Sequence, residues 1–175
     1  MLDTCSLIQN ATNSSGIQLT WSENKLTVRF EKNVAPKIEP LSISTITLPY
    51  DRRHCRRKKM TDDEGKSFLL DLKNATFLKD GDRLLLESGE CILICAATEE
   101  VADIKCISAS EASRVAWHIG NRHVPMQILK NSELRILRDD VLIDMVRGLG
   151  ASVAFKNKKF QPEGGAYIKV TDHAH

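Results

Sequence analysis

The chain has 175 residues and a formal net charge of +2, with 42% apolar and 27% charged residues. These values are typical of a globular protein with one mid-sized or two small domains, and the small net charge excludes a strongly basic, fold-wide nucleic-acid surface. No apolar run approaches the roughly 20 residues of a membrane span, and the first residues lack the pattern of a secretory signal, so we expect a cytoplasmic protein without membrane segments.

The first half of the chain consists of short segments in which apolar and polar residues alternate, separated by turn residues such as Asp80-Gly81. Alternation of this kind predicts β-strands. The predicted strands are a hairpin within 17–30 and single strands at 41–48, 66–72, 82–88 and 90–96. We therefore expect an all-β N-terminal domain over residues 1–98, in which residues 1–25 form a mobile extension.

The pattern changes to alternating strands and helices in the second half. A strand is predicted at 101–107, and Ser108 with Glu111 forms a capping box that begins a helix, which Gly120 is well placed to end. Strands at 125–129 and 133–137, a helix over 139–149 and a strand at 152–155 follow. This β-α-β-β-α-β order predicts a ferredoxin-like domain over 99–156, a flexible tail over 157–175, and an α+β fold class overall.

Five cysteines are present in irregular spacing, without a C-x-x-C pair. A structural zinc site is therefore not expected. Cys91 and Cys95 lie within the apolar run "CILICAA" and are predicted to be reduced core residues.

The segment "WHIGNRHVPMQIL" contains His118 and His123 five positions apart around a glycine, at the predicted end of a helix. Either histidine is compatible with an ordinary helix-terminus role. One imidazole per chain makes a poor metal site, because transition metals take four to six donors, but a two-fold dimer would bring two copies of His123 to one ion. His173 and His175, in the final "DHAH", are candidate additional ligands.

A basic stretch, "DRRHCRRKK" at 51–59, surrounds one histidine and one cysteine. It is interpreted either as a solvated strand or as a surface for an acidic partner, through Arg52, Arg53, Arg56 and Arg57. Nucleic acid is not expected, because aromatic stacking residues are not interleaved. The sequence contains no phosphate-binding glycine loop, G-x-S-x-G or H-E-x-x-H motif, so an enzyme is not predicted.

Several blocks resemble the UreE family of urease accessory proteins, in order and over roughly residues 40–175. They are "LPYDRRHCRRKKMTDDEGKSFLLDL", "LKDGDRLLLESGE", "WHIGNRHVPMQI", "DDVLIDMVRGLGASV" and "FQPEGGAY". The G-N-R-H block is the most specific of them. The resemblance implies an N-terminal β domain that binds a peptide or partner, followed by a ferredoxin-like metal-binding domain.

The resemblance further implies a homodimeric nickel metallochaperone that passes Ni(II) through the urease maturation GTPase UreG to apo-urease, with Zn(II) or Cu(II) as competing ions. It makes His123 the nickel ligand, paired with His123 of a second chain. His173 and His175 would complete the site, and His118 is a possible secondary ligand. The family's peripheral site is not carried over, because Asp140 stands where some members have histidine. The alternative function is a module without metal that binds nucleic acid or an acidic partner through residues 51–59.

Overall fold

The computed structural model describes residues 42–86 and 90–164, together with the backbone of residues 29–30. The described residues divide into two compact units, with the boundary between Ala97 and Thr98. The two units are considered separately below.

The described part of the first unit is built from strands and one turn of 3-10 helix at Tyr50–Arg52. The strands are β1 (Arg29–Phe30), β2 (Ser42–Leu48), β3 (His54–Thr61), β4 (Ser67–Phe77), β5 (Arg83–Leu85) and β6 (Cys91–Ala96). They form one sheet in the order β1-β5-β6-β2, in which β2 runs parallel to β6, and an antiparallel β3–β4 hairpin. All six side chains of β6 are buried, which agrees with its continuous apolar sequence.

The β3–β4 hairpin is connected to the edge of the four-stranded sheet through its turn. Gly65 takes the positive φ of 87° that the turn requires. The adjacent Asp63 carboxylate accepts hydrogen bonds from the Thr47 amide and from the hydroxyls of Thr45 and Thr47, and its own amide donates to the Thr45 carbonyl. Asp63 thus fixes the turn of the hairpin against β2.

The predicted strands of the first unit are confirmed with shifted ends. Strand β4 continues to Phe77 and β5 stops at Leu85, while most of the predicted 17–30 hairpin lies outside the described residues. Cys91 is outside any disulfide, as predicted, but Cys95 takes part in one. The prediction of a reduced Cys95 is therefore wrong, since an apolar strand sequence does not reveal which thiol meets another.

The described part of the second unit consists of four strands and two helices. They are β7 (Thr98–Lys105), α1 (Ala109–Gly120), β8 (Gln127–Ile128), β9 (Glu133–Leu137), α2 (Asp140–Gly148) and β10 (Ser152–Lys159). The antiparallel sheet has the order β10-β7-β9-β8. The predicted β-α-β-β-α-β order and the α+β class are confirmed.

Both helices pack against one face of this sheet. Ala102 and Ile104, which alternate along β7, share a buried apolar cluster with Val115 of α1 and with Ile143 and Val146 of α2. Ser108 caps α1 as the sequence predicts, accepting from the Glu111 amide, while Asp139, predicted as the first residue of α2, is instead its N-cap and accepts from the Leu142 amide. The Glu111 carboxylate, however, accepts from the Ile107 amide rather than from that of Ser108.

The end of the second unit differs from the prediction. Strand β10 extends four residues beyond the predicted 152–155, because it pairs with β7 along its whole length. Phe160 is fully buried, and the Glu163 amide donates to the Met126 carbonyl beside β8. The first residues of the predicted flexible tail are therefore ordered by backbone pairing and burial, and residues 165–175 lie outside the described part.

Candidate metal centre

His123 lies three residues beyond the end of helix α1, in a left-handed backbone conformation with a φ of 56°. Its amide donates to the Gly120 carbonyl at 2.9 Å, and the Val124 amide donates to the Ile119 carbonyl at 3.4 Å. These two bonds are the Schellman motif, in which the residue with positive φ is the one that stops the helix. Gly120 is the last residue of helix α1, as predicted, but the left-handed residue that closes the Schellman motif is His123, three positions later.

Helix α2 ends in the same Schellman motif, but there the residue with positive φ is a glycine, as is usual. The Gly150 amide donates to the Arg147 carbonyl, the Ala151 amide to the Val146 carbonyl, and Gly150 has a φ of 101°. Glycine is the usual residue here because a Cβ costs about 1 kcal/mol or more in the left-handed region. The chain thus places a histidine where its own second helix places a glycine.

The His123 side chain is exposed, and the structure describes no hydrogen bond or ion pair of its imidazole with another residue. The backbone of His123 is strained, and its metal-coordinating side chain has no described partner. Both features favour a role for this residue other than stabilising the local fold. The rigid Schellman geometry holds the ring at the end of α1, while its nitrogen lone pairs remain available to a ligand.

His118 lies one helical turn earlier and is engaged within its own chain. It is half-buried, and its ring makes an edge-to-face contact with Trp117 at 4.8 Å between centroids. Its carbonyl accepts a 2.9 Å hydrogen bond from the Arg122 guanidinium. These contacts are those of an ordinary helix-terminus residue. They do not bring His118 into a common site with His123.

No group of three or more histidine, cysteine or acidic side chains with metal-binding geometry occurs in residues 42–86 and 90–164. His173 and His175 lie outside the described residues, so the structure does not place them. Cys55 is a poor donor, because burial raises the pKa of its thiol, against the weaker opposing effect of Lys58. The described part of one chain therefore forms no metal site by itself, and the exposed imidazoles that it offers are those of His54 and His123.

The four arginines of the basic stretch do not share one environment. Arg52, Arg56 and Arg57 are exposed, whereas Arg53 is 0% exposed and its guanidinium lies over the rings of Phe77 and Tyr50 at 5.0 and 5.8 Å. Arg53 is thus a core residue that packs against two aromatic rings, which corrects its inclusion among partner-binding residues. The exposed members of β3 agree with the prediction of a solvated strand.

A buried charge cluster on the sheet face opposite the helices was not predicted. Asp103 of β7 is nearly buried and accepts two hydrogen bonds from Arg135 of β9, at 2.6 and 3.0 Å, while the Lys156 ammonium of β10 lies at 2.8 Å. The hydrogen bonds from Arg135 lower the pKa of Asp103, and Lys156 adds to this effect. The alternation in "VADIKC" predicts that Asp103 lies on the other face of the sheet from Ala102 and Ile104. Its charged partners are distant in sequence, so the local pattern does not reveal them.

Comparison with known proteins gives matches along most of the chain. The models described as "UreE urease accessory protein" match residues 24–97 with the N-terminal domain and 99–175 with the C-terminal domain. Urease accessory protein UreE of Rhodopseudomonas palustris (strain HaA2) is 49% identical over 130 residues, which are 74% of this chain and 60% of that protein. The same-named protein of Ruegeria pomeroyi is 42% identical over 130 residues, again 74% of this chain and 85% of that protein.

The match to a third relative, UreE of Bradyrhizobium sp. (strain ORS 278), has 48% identity over 131 residues, or 75% of this chain and 61% of that protein. Some relatives are thus matched over only about three fifths of their length. Neither described helix is long and apolar enough to span a membrane. Both domain models match in order, and a relative covered over 85% of its length is 42% identical, so the chain belongs to the UreE urease accessory protein family.

Proposed function

We propose that this protein is a nickel metallochaperone, which binds Ni(II) between two copies of His123 in a homodimer and delivers it during urease assembly. The observation that carries the proposal is the exposed imidazole at a helix end where glycine would be less strained. Membership of a urease accessory protein family supports urease assembly as the process in which this imidazole would bind a metal. In this account the protein carries its ion as cargo and catalyses no reaction.

The donor set explains why a second chain is required. One imidazole cannot satisfy a transition metal, which takes four to six donors, whereas a two-fold axis near His123 doubles the fixed donors. Water and the tail residues His173 and His175 would fill further positions, with His118 as a secondary candidate. Few protein donors and an open coordination sphere suit a carrier, because a recipient can replace the ligands one at a time.

Nickel selectivity would not come from the imidazoles themselves. Cu(II) binds the same donors more tightly and Zn(II) competes, so the metal carried depends on geometry and on the ions available. We propose the cytoplasm as the site of this exchange, UreG as the immediate recipient and apo-urease as the final one. Nickel affinity should fall in acid, because a protonated imidazole cannot coordinate a metal.

Native mass spectrometry during nickel titration tests this proposal. We expect a dimer that takes up one tightly bound Ni(II) for every two chains, since one ion needs both imidazoles. Weaker ions bound at higher nickel concentration are compatible with this result. A protein that remains monomeric with nickel present, or that binds one tight ion per monomer, would contradict it.

A further inference from the structure

Within the described residues, strand β3 has one open backbone edge. It pairs with β4 on one side, and in the described part of the chain its other side has no strand beside it. The edge strand β2 differs, because Asp63 is hydrogen-bonded to its Thr47 amide and its Thr45 carbonyl. An open edge presents N–H and C=O groups that can pair with an added strand.

The same strand carries four consecutive exposed cations, Arg56, Arg57, Lys58 and Lys59. Within the described residues, the ion pairs of this run comprise one loose contact of 3.7 Å between Arg57 and Asp71, and the Arg57 side chain is 61% exposed. Lys73 of β4 is also exposed. It lies where the strand pairing is irregular, with four residues of β4 opposite the single residue Arg56 of β3. The edge therefore has a strong and largely uncompensated positive charge.

The register places these cations on both faces of the edge. Lys58 lies opposite Leu70, which faces the core, whereas Arg57 and Lys59 lie opposite Asp71 and Leu69 on the outer face. A strand added beside β3 would have side chains about 5 Å from these positions, alternating between the same two faces. Carboxylates on either face of such a strand would therefore meet a cation.

We propose that the open edge of β3 is a docking site for an extended acidic segment of a partner protein, which binds by strand addition. Backbone pairing supplies the attachment and the cations select for carboxylates, to which arginine forks are well matched. Charged side chains on an edge discourage pairing with uncharged strands, whereas a strand that carries carboxylates would neutralise these four cations, so the charge selects an acidic occupant. Nucleic acid is disfavoured, because β3 contains no Phe, Tyr or Trp side chain for base stacking.

The test uses the full-length protein and a fluorescein-labelled 12-residue peptide in which glutamate alternates with threonine or valine. We expect fluorescence anisotropy to report binding that weakens at least about tenfold in the Lys58→Glu/Lys59→Glu variant, and that weakens with added salt. The matched control is Lys105→Glu/Lys158→Glu, which changes the charge equally at exposed positions of the second unit and should bind the peptide like the wild type.

Two further probes separate the alternatives. A peptide of equal charge with proline at alternate positions cannot pair with an edge, so we expect it to bind at least about tenfold more weakly. Equal binding of the proline peptide, or equal binding of the first peptide by wild type and Lys58→Glu/Lys59→Glu, would overturn the proposal. So would tighter binding of an oligothymidylate that is lost in the same variant, because it would assign the edge to nucleic acid.

Discussion

Replacement of His123 by alanine is expected to weaken tight nickel binding at least about 100-fold while the protein stays folded and dimeric. Changing a group that merely orients a metal ligand typically costs 10–100-fold in affinity, and here each dimer loses both of its fixed ligands. The imidazole has no described partner in its own chain, so its removal leaves no buried group unsatisfied. Isothermal titration with Ni(II) measures the loss, and size-exclusion chromatography checks the dimer.

A second variant, His123→Gly, separates the imidazole from the backbone. Glycine suits the positive φ, so this variant should lose nickel as His123→Ala does, yet gain about 1 kcal/mol in the free energy of unfolding. The control is His54→Ala, which removes another exposed histidine from β3 and should bind nickel normally. The double variant His173→Ala/His175→Ala should weaken nickel binding less than His123→Ala does. Normal nickel affinity in His123→Gly would refute the assignment.

Replacement of Asp103 by asparagine is expected to lower the free energy of unfolding by about 3 kcal/mol at neutral pH. The change keeps the side-chain shape but removes the charge that compensates Arg135, whose side chain is only 13% exposed. A buried guanidinium that loses its bidentate partner is costly, and Lys156 loses its 2.8 Å contact as well. Urea denaturation followed by circular dichroism measures the difference between variant and wild type.

The pH dependence gives this prediction a second readout. The folded pKa of Asp103 lies below its ordinary value of 3.8, so its stabilisation is fully present above that value and is lost as pH falls through the folded pKa. The difference between wild type and Asp103→Asn should therefore shrink in strong acid. Asp144→Asn, which disturbs only an exposed 3.8 Å pair with Arg147, should cost no more than about 0.5 kcal/mol. Equal costs for the two variants would contradict the buried-pair account.

Local sequence patterns were sufficient to predict most of the second unit. Ser108 and Asp139 cap the two helices as their residue types suggest, and apolar spacing identifies the faces that share the core with β7 and β9. Strand ends were less predictable, because they depend on the neighbouring strand. β10 continues to Lys159 since β7 begins at Thr98, and nothing in "KNKK" itself indicates a strand.

The features missed by sequence reasoning depend on contacts or on backbone angles. Arg53 reads like its neighbours in the basic stretch, and only the approach of Phe77 from a distant strand reveals it as a core residue. Gly120 ends helix α1 as predicted, but the pattern did not reveal that the left-handed residue after the helix is His123. His123 was identified as a candidate ligand by resemblance, and its strained geometry adds a physical reason that the sequence alone did not contain.

Mixed dimers test most directly whether one ion is shared by two copies of His123. Wild-type and His123→Ala chains, given different masses by isotope labelling, are mixed in equal amounts, allowed to exchange, and examined by native mass spectrometry at low nickel concentration. We expect tight nickel only in wild-type homodimers, about one quarter of all dimers after random exchange, because a mixed dimer has half a site. Tight nickel in the mixed dimers as well would mean that one chain binds the ion alone, and would contradict the account.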